Sequence, residues 1–282
     1  MTVLIIGGNG FLGAELVRQA VSAGLHPAAT FHSRPGRGDG ATWHHLDLRD
    51  PLLLEEVLGT VAPTAVINAT SGGADWAVTA EGGIRLAQAA AGHGIRLVHV
   101  SSDAVFSGIT GRDRYDESCL PDPLTPYGAA KAAAETAVRL LCPHTAAVAR
   151  TSLIIGNGRS EHERLVHALA DGTRQGALFT DDIRCPVHVT DLAAALWEIT
   201  RSDAAGMFHL AGPDALSRYD LGGLIAHRDG LDAARLPSAR RSDTGLPGGL
   251  DVRLDSRTTQ QKLRIRLRGA REFLSGNSPR LS

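Results

Sequence analysis

Lysine is nearly missing from this chain of 282 residues: Lys131 and Lys262 are its only two, against 27 arginines. The formal net charge is −1, which removes any global electrostatic case for nucleic acid or an anionic membrane, so cationic clusters matter only locally. Cysteine is almost as sparse. Cys119, Cys142 and Cys185 are odd in number and far apart, which excludes a disulfide framework or a C-x-x-C metal site and points to reduced, buried thiols. No apolar stretch approaches the roughly 20 residues that cross a bilayer. A strand-like run starts two residues after Met1 and leaves no room for a charged leader with a cleavage site; a cytoplasmic protein is the expectation. The His44-His45 pair lies on a candidate strand, where neighbours point to opposite faces, and spacing supplies no third ligand. No metal is expected.

What is present is a regular alternation. Short apolar runs at residues 3–6, 28–31, 43–45, 65–68, 96–100 and 146–149 alternate with amphipathic, Ala-rich segments at 10–23, 51–61, 78–93 and 126–141. This pattern predicts an α/β fold, a doubly wound parallel sheet of Rossmann type with ligands at the carboxyl ends of its strands. Residues 1–150 are expected to bind a dinucleotide. Residues 151–275 break into turns, short strands (186–189, 207–210, 251–254) and helices near 191–201 and 218–227, a smaller C-terminal lobe interleaved with the sheet edge that completes a substrate cleft. Ser217 followed by Asp220 reads as a helix cap. The stretch 235–249 reads as a loose surface loop, and the tail 276–282 as disordered.

The segment LIIGGNGFLGAELV, residues 4–17, follows the first strand and opens the first helix. Its glycines fit two registers, Gly7-x-x-Gly10-x-x-Gly13 and Gly8-x-Gly10-x-x-Gly13. Either one turns sharply, brings backbone N–H groups to a pyrophosphate and packs helix on strand. Phe11 and Leu12 fall inside the same loop. An NAD-preferring site ends its second strand in Asp or Glu for the ribose hydroxyl, whereas arginine suits a 2′-phosphate. Here the strand runs into TFHSRPGR, giving Ser33, Arg34 and Arg37 before any carboxylate at Asp39, so NADP is the expected cofactor. Asp47 and Leu48 are placed at the adenine, and Asn68, Ala69 and Thr70 along the cofactor path.

Tyr127 and Lys131 are four apart on a predicted helix and share a face. With so few tyrosines and lysines, a chance Tyr-x-x-x-Lys pair is expected only about 2% of the time. An ammonium beside a phenol lowers its pKa, so Tyr127 is read as a general acid, while Lys131 is placed to hold the nicotinamide ribose. Ser102, at a strand end, is placed to polarise a substrate carbonyl. Arg184 is read either as a partner for a substrate phosphate or as an ordinary surface arginine. The alanine row from residue 129 to 137 admits a close helix neighbour, within the chain or across a dimer.

The register from Gly7, Ser102 and Tyr127-x-x-x-Lys131 together resemble the extended short-chain dehydrogenase/reductase superfamily. More narrowly, SSDAVFSG, PLTPYGAAKAAAE, ARTSLIIG, GMFHLAGP and LDSRTTQQKLRIRLRGAREFL are similar to the dTDP-4-dehydrorhamnose reductases. The resemblance implies an oxidoreductase that reduces the 4-keto group of a nucleotide-linked 6-deoxysugar with NADPH. It also implies Ser102, Tyr127 and Lys131 as the catalytic set, and a homodimer. Ser102, Asp103, Leu153 and Arg184 are then the residues expected at the substrate.

The chain departs from that pattern in four places: ATSGGADWAVTAEGG follows Asn68 in place of a longer, acidic segment, Thr79 stands for an asparagine, Leu153 for an aromatic residue and Ala104 for a tyrosine. Two alternatives therefore stay open. One is a reductase of a non-sugar ketone or imine. The other is a non-catalytic NADP-binding subunit, since the regulatory subunit of methionine adenosyltransferase is similar to these reductases.

Overall fold

The computed structural model describes residues 1–36, 40–108 and 113–275. Arg37, Asp39 and the tail 276–282 lie outside them. The first half builds β1 (Val3–Ile6), α1 (Phe11–Ser22), β2 (Ala28–Phe31), β3 (Thr42–His45), α2 (Pro51–Val61), β4 (Ala65–Asn68), α3 (Gly82–His93), β5 (Arg96–Ser102), α4 (Pro126–Leu141) and β6 (Ala146–Thr151). After it come α5 (Glu161–Ala170), α6 (Val189–Thr200), β7 (Gly206–Leu210) and α7 (Arg218–Asp229). The main sheet has seven parallel strands in the order β7-β6-β5-β4-β1-β2-β3. The direction of winding reverses between β1 and β4, which opens a crevice at their carboxyl ends.

Central strands buried on both faces need unbroken apolar runs, and VLII of β1 and AVIN of β4 supply them. Val3, Ile5, Val98 and Ala147 pack with α1 and α6 on one face. Leu4, Ile6, Val66, Leu97 and Val148 pack with α2, α3 and α4 on the other. The alanine row of α4 is used inside the chain: Ala130 and Ala134 are fully buried, and a Cβ added to Gly83 of α3 would stand 2.8 Å from that of Ala134.

Three expectations change. The strand foreseen near 207–210 is β7, which joins the main sheet beside β6 because α6 provides a crossover of the right length. Residues 251–254 form only isolated bridges, to Ile183 and Tyr115. The stretch 235–249 is tied down: Ser238–Ala239 pairs with Leu178–Phe179, and Arg241 Nη1 meets Asp182 at 2.8 Å. The lobe has its own apolar cluster, including Val166, Leu178, Leu221, Ile225 and Phe273. Ser217 caps α7 by accepting from the Asp220 N–H at 2.9 Å.

One polar network crosses the interior. Arg150 of β6 is 1% exposed and stacks its guanidinium 4.8 Å from the centre of the Phe106 ring. It grips Glu135 of α4, with Nη2 at 2.8 Å from Oε2 and Nε at 3.0 Å from Oε1. Ser101 donates to the same carboxylate at 2.5 Å. Removing one partner strands a buried charge, so Arg150→Met is expected to cost about 3 kcal/mol or more of stability. Urea denaturation measures it; an unchanged midpoint would show that the pair contributes nothing.

Candidate active site

The glycine loop is set by crowding. Gly7 adopts φ +79, a left-handed conformation that a side chain would strain. A Cβ on Gly13 would lie 2.0 Å from the Gly7 carbonyl oxygen, so helix and loop meet only without one. Gly8 serves a different purpose: its missing Cβ would lie 2.7 Å from that of Ala29 on β2. The register from Gly7 is therefore the turning one, and Gly8 lets the loop rest on the sheet.

Two cavities meet at this loop. The first, about 370 Å³, is walled by Gly7, Gly10, Thr30, His32, Asp47, Leu48, Arg49, Ala69 and Thr70, among others. Asp47, Leu48, Ala69 and Thr70, all singled out from the sequence, share this one cavity. Thr30, His32 and Arg49 were not anticipated. Arg49 Nη2 pairs with Asp47 Oδ2 at 2.8 Å, and these bonds hold the carboxyl down to about 2. Arg34 and Ser33 are exposed and do not wall the cavity. Their loop is nevertheless anchored at its edge, because Asn9 Nδ2 donates to the Arg34 carbonyl at 2.9 Å. Asn68 is buried and works from behind, with Oδ1 accepting from the Thr70 N–H at 3.1 Å.

The second cavity, about 680 Å³, runs from Gly10, Phe11 and Leu12 past Ser102, Tyr127 and Lys131 to Leu153, and on to His162 and Arg218. Local sequence places the tyrosine. Thr125 caps α4 by accepting from the Gly128 N–H at 3.0 Å, and Pro126 opens its first turn. A Cβ on Gly128 would lie 2.1 Å from the Ala104 carbonyl oxygen, so glycine lets the helix press onto the end of β5. The Ser71 and Ser102 hydroxyls lie near enough to the Tyr127 phenol to pull its pKa down. Ser71, immediately after the foreseen Thr70, was the polar neighbour that sequence reasoning stopped short of.

The electrostatics differ from expectation. Burial raises the Tyr127 pKa, opposed by the hydrogen bonds from Ser71 and Ser102 and reinforced by the Asp103 carboxylate. The Lys131 ammonium is anchored by backbone: Nζ donates to the Val100 carbonyl at 3.0 Å and the Thr70 carbonyl at 3.2 Å. Burial pushes Lys131 down to about 8, with Glu135 pulling the other way. Asp103 lies behind Ser102, which donates to Oδ1 at 3.2 Å, while Ser152 donates to Oδ2 at 2.6 Å.

Arg184 is likewise placed away from the cavity wall. It is 7% exposed, pairs with Asp182 at 2.8 Å, donates to the Gly249 carbonyl at 2.8 Å and lies 3.6 Å from Asp103. The cation that reaches the cavity from this cluster is Arg218, which no motif had flagged.

A seven-stranded, doubly wound sheet with a glycine loop over two adjoining cavities and a Ser, Tyr and Lys set at the strand ends defines a dinucleotide-binding fold of the short-chain dehydrogenase/reductase type. The chain belongs to the family described as RmlD substrate binding domain, whose model matches residues 1–275. It is 30% identical over 243 residues to the dTDP-4-keto-6-deoxy-D-glucose reductase of Streptomyces niveus, covering 83% of this chain and 80% of that protein. To the dTDP-4-dehydrorhamnose reductase of Mycobacterium tuberculosis it is 30% identical over 246 residues, covering 83% and 77%. The crystal structure of dTDP-4-dehydrorhamnose reductase from Bacillus anthracis in complex with NADP superimposes with a TM-score of 0.81 at 20% identity, over 97% of this chain and 96% of that one.

The rarity of lysine makes the depressed Lys131 pKa directly measurable. With ¹³C,¹⁵N-labelled lysine, one of the two NMR signals is expected to titrate near pH 8 and to disappear in Lys131→Met. Between about pH 8 and the ordinary lysine value of 10.5, the unfolded chain holds a proton that the folded chain has released. This group therefore adds stability as pH rises through that window and subtracts it below. Two signals titrating together above pH 10 would contradict the burial.

Proposed function

We propose that this protein is an NADPH-dependent reductase of a keto group on a nucleotide-linked deoxysugar. One observation carries the reading: the half-buried phenol of Tyr127 stands with Ser102 and Lys131 on the wall of a cavity that continues from the glycine loop into the C-terminal lobe. A binding protein without turnover has no use for a proton donor so placed. The relatives that share most of the chain's length carry the names of sugar-nucleotide reductases, which favours a sugar-linked ketone.

The residues present fit a dinucleotide. Gly7 and Gly10 leave room for backbone approach, and the Thr70 hydroxyl, buried where the two cavities meet, has no hydrogen-bond partner among the described residues. We assign the adenosine half to the cavity of Asp47 and Leu48, and the nicotinamide half to Phe11, Leu12, Thr70, Tyr127 and Lys131. Ser33 and Arg34, on the loop anchored by Asn9, are proposed to meet the 2′-phosphate. When bound, NADPH supplies the hydride.

The chain supplies the rest. A substrate carbonyl oxygen received between the Ser102 and Tyr127 hydroxyls is polarised by both once Ser102 turns its one proton from Asp103 to it, and the Tyr127 phenol gives it the proton. Reduction requires that proton to be in place beforehand, and the raised pKa keeps the phenol protonated at neutral pH. Ser71 fixes the ring, and Lys131, with two of its donors held by backbone, offers a third to the ribose. Asp103 orients Ser102, Leu153 gives the pocket an apolar wall, and the lobe 151–275 closes over the sugar. A cytoplasmic location goes with this cofactor and substrate class.

Tyr127→Phe should leave NADPH affinity nearly intact while lowering turnover on dTDP- and UDP-linked 4-keto-6-deoxysugars by about 10² to 10⁴. Unchanged turnover in that variant would remove the assigned mechanism. Arg34→Ala should weaken NADPH at least about tenfold more than NADH in fluorescence titrations, as loss of a charge-assisted contact to phosphate requires. Equal losses would take the 2′-phosphate role away from Arg34.

A further inference from the structure

His99 lies within β5, 1% exposed, and takes no part in the chemistry assigned above. It faces Asn68, its register partner at the end of β4, with Nδ1 3.2 Å from Asn68 Nδ2. What lies at the other end of the amide fixes the direction of this bond. Asn68 Oδ1 already accepts from the Thr70 N–H at 3.1 Å, so Nδ2 is turned to the ring and donates. His99 Nδ1 is therefore the acceptor, which puts the ring proton on Nε2. Burial, reinforced by the Lys131 charge, drives the pKa of His99 down to about 3 and keeps that acceptor free of a second proton.

The arrangement has a cost. His99 Nε2 is buried without a hydrogen-bond partner among the described residues. The ring cannot swing away to find one on the α3 side, where a Cβ on Gly83 would stand 3.4 Å from His99 Cε1. A leucine would fill this space and leave no donor unpaired, so what the imidazole contributes is its one acceptor. Beyond Asn68 the contacts run on to the catalytic set. Thr70, held by its N–H, offers its carbonyl to Lys131 Nζ at 3.2 Å, and the second acceptor of Nζ is the carbonyl of Val100, the residue after His99. Thr70 also backs the glycine loop, since a Cβ on Gly7 would lie 3.2 Å from its backbone nitrogen.

We propose that His99 is a positioning residue: by fixing the Asn68 amide it holds Thr70 where its carbonyl anchors Lys131 and its hydroxyl faces the cofactor. The contact ties the turn after β4 to β5, so the two carbonyls that grip the ammonium keep one spacing. This role rests on the reading of Lys131 as the ribose ligand and concerns how that ammonium is held.

Two variants separate filling the space from accepting the bond. His99→Leu keeps the space filled by a side chain that cannot accept, whereas His99→Asn shrinks the side chain and leaves Oδ1 in the place of Nδ1. In cofactor-free protein with ¹³C,¹⁵N-labelled lysine, Lys131 is expected to titrate at least about half a pH unit lower in His99→Leu, because a loosened acceptor disfavours the charged form. Fluorescence titration should show NADPH bound about tenfold more weakly by the same variant. His99→Asn should restore both values, although the void it leaves gives it the lower melting temperature. A histidine ¹⁵N spectrum, read by difference against His99→Asn, should show a neutral ring protonated at Nε2 from about pH 5 to pH 9. Wild-type Lys131 titration and NADPH affinity in His99→Leu overturn the proposal, as do a proton on Nδ1 or losses in both variants that follow melting temperature. None of these readouts needs a substrate: if they come out as stated and no keto sugar is reduced, the reductase reading falls and the role of His99 stands. Turnover on keto sugars with His99→Leu unaltered does the reverse.

Discussion

The buried Glu135 carboxylate is the fixed point of this molecule. It lies on α4 two turns after Tyr127 and one after Lys131, and is held at once by Arg150 from β6 and Ser101 from β5. A helix can slide or roll over an apolar sheet at little cost, because dispersion has no direction. A bidentate ion pair in a dry interior cannot shift without losing its geometry. The pair therefore sets where α4 sits on the sheet, and with it the height of the phenol and ammonium above the strand ends. Gly128 completes the constraint by letting the first turn of α4 rest on the Ala104 carbonyl.

A second buried carboxylate organises the other side of the cavity. Asp182 is 1% exposed and gathers Arg184, Arg218 and Arg241, which come from three separate segments of the lobe. Through Arg184 the cluster reaches Asp103, the neighbour of Ser102. The lobe is thereby wired to the carboxyl end of β5 by charge, and its apolar cluster fills in behind. Such a cluster has little freedom to exchange partners, which explains why the stretch 235–249, loose by composition, is held in place by Arg241.

The fold was largely legible. Continuous apolar strands, period-3.6 helices and glycines at a strand-helix junction are local signals, and the parallel sheet follows from them. The seventh strand was seen but misplaced, because four strand residues carry no sign of which partner they will join; only the α6 crossover decides it. Tyr127 and Lys131 were legible because rare residue types stood at a helical spacing, and Ser102 because it ends a strand ahead of them. Arg218, His162 and Ser71 were not, since one arginine among 27 looks like any other until the fold shows which faces a cavity. Arg184 shows the converse: its position beside a strand suggested a ligand contact, and burial instead commits it to Asp182.

By itself, then, the sequence determined the glycine loop, the alternating α/β architecture and the Tyr127–Lys131 pair on one helix face, all properties of residues close together in the chain. Tertiary structure alone decided the electrostatic surroundings of these groups and which distant residues share their cavity. Lys131 meets the Thr70 and Val100 carbonyls, Tyr127 meets Ser71, and His162 meets Arg218 only when distant segments fold onto one cavity. Burial and charge fields are properties of that enclosure, and they fall steeply with distance. No spacing along the chain encodes them.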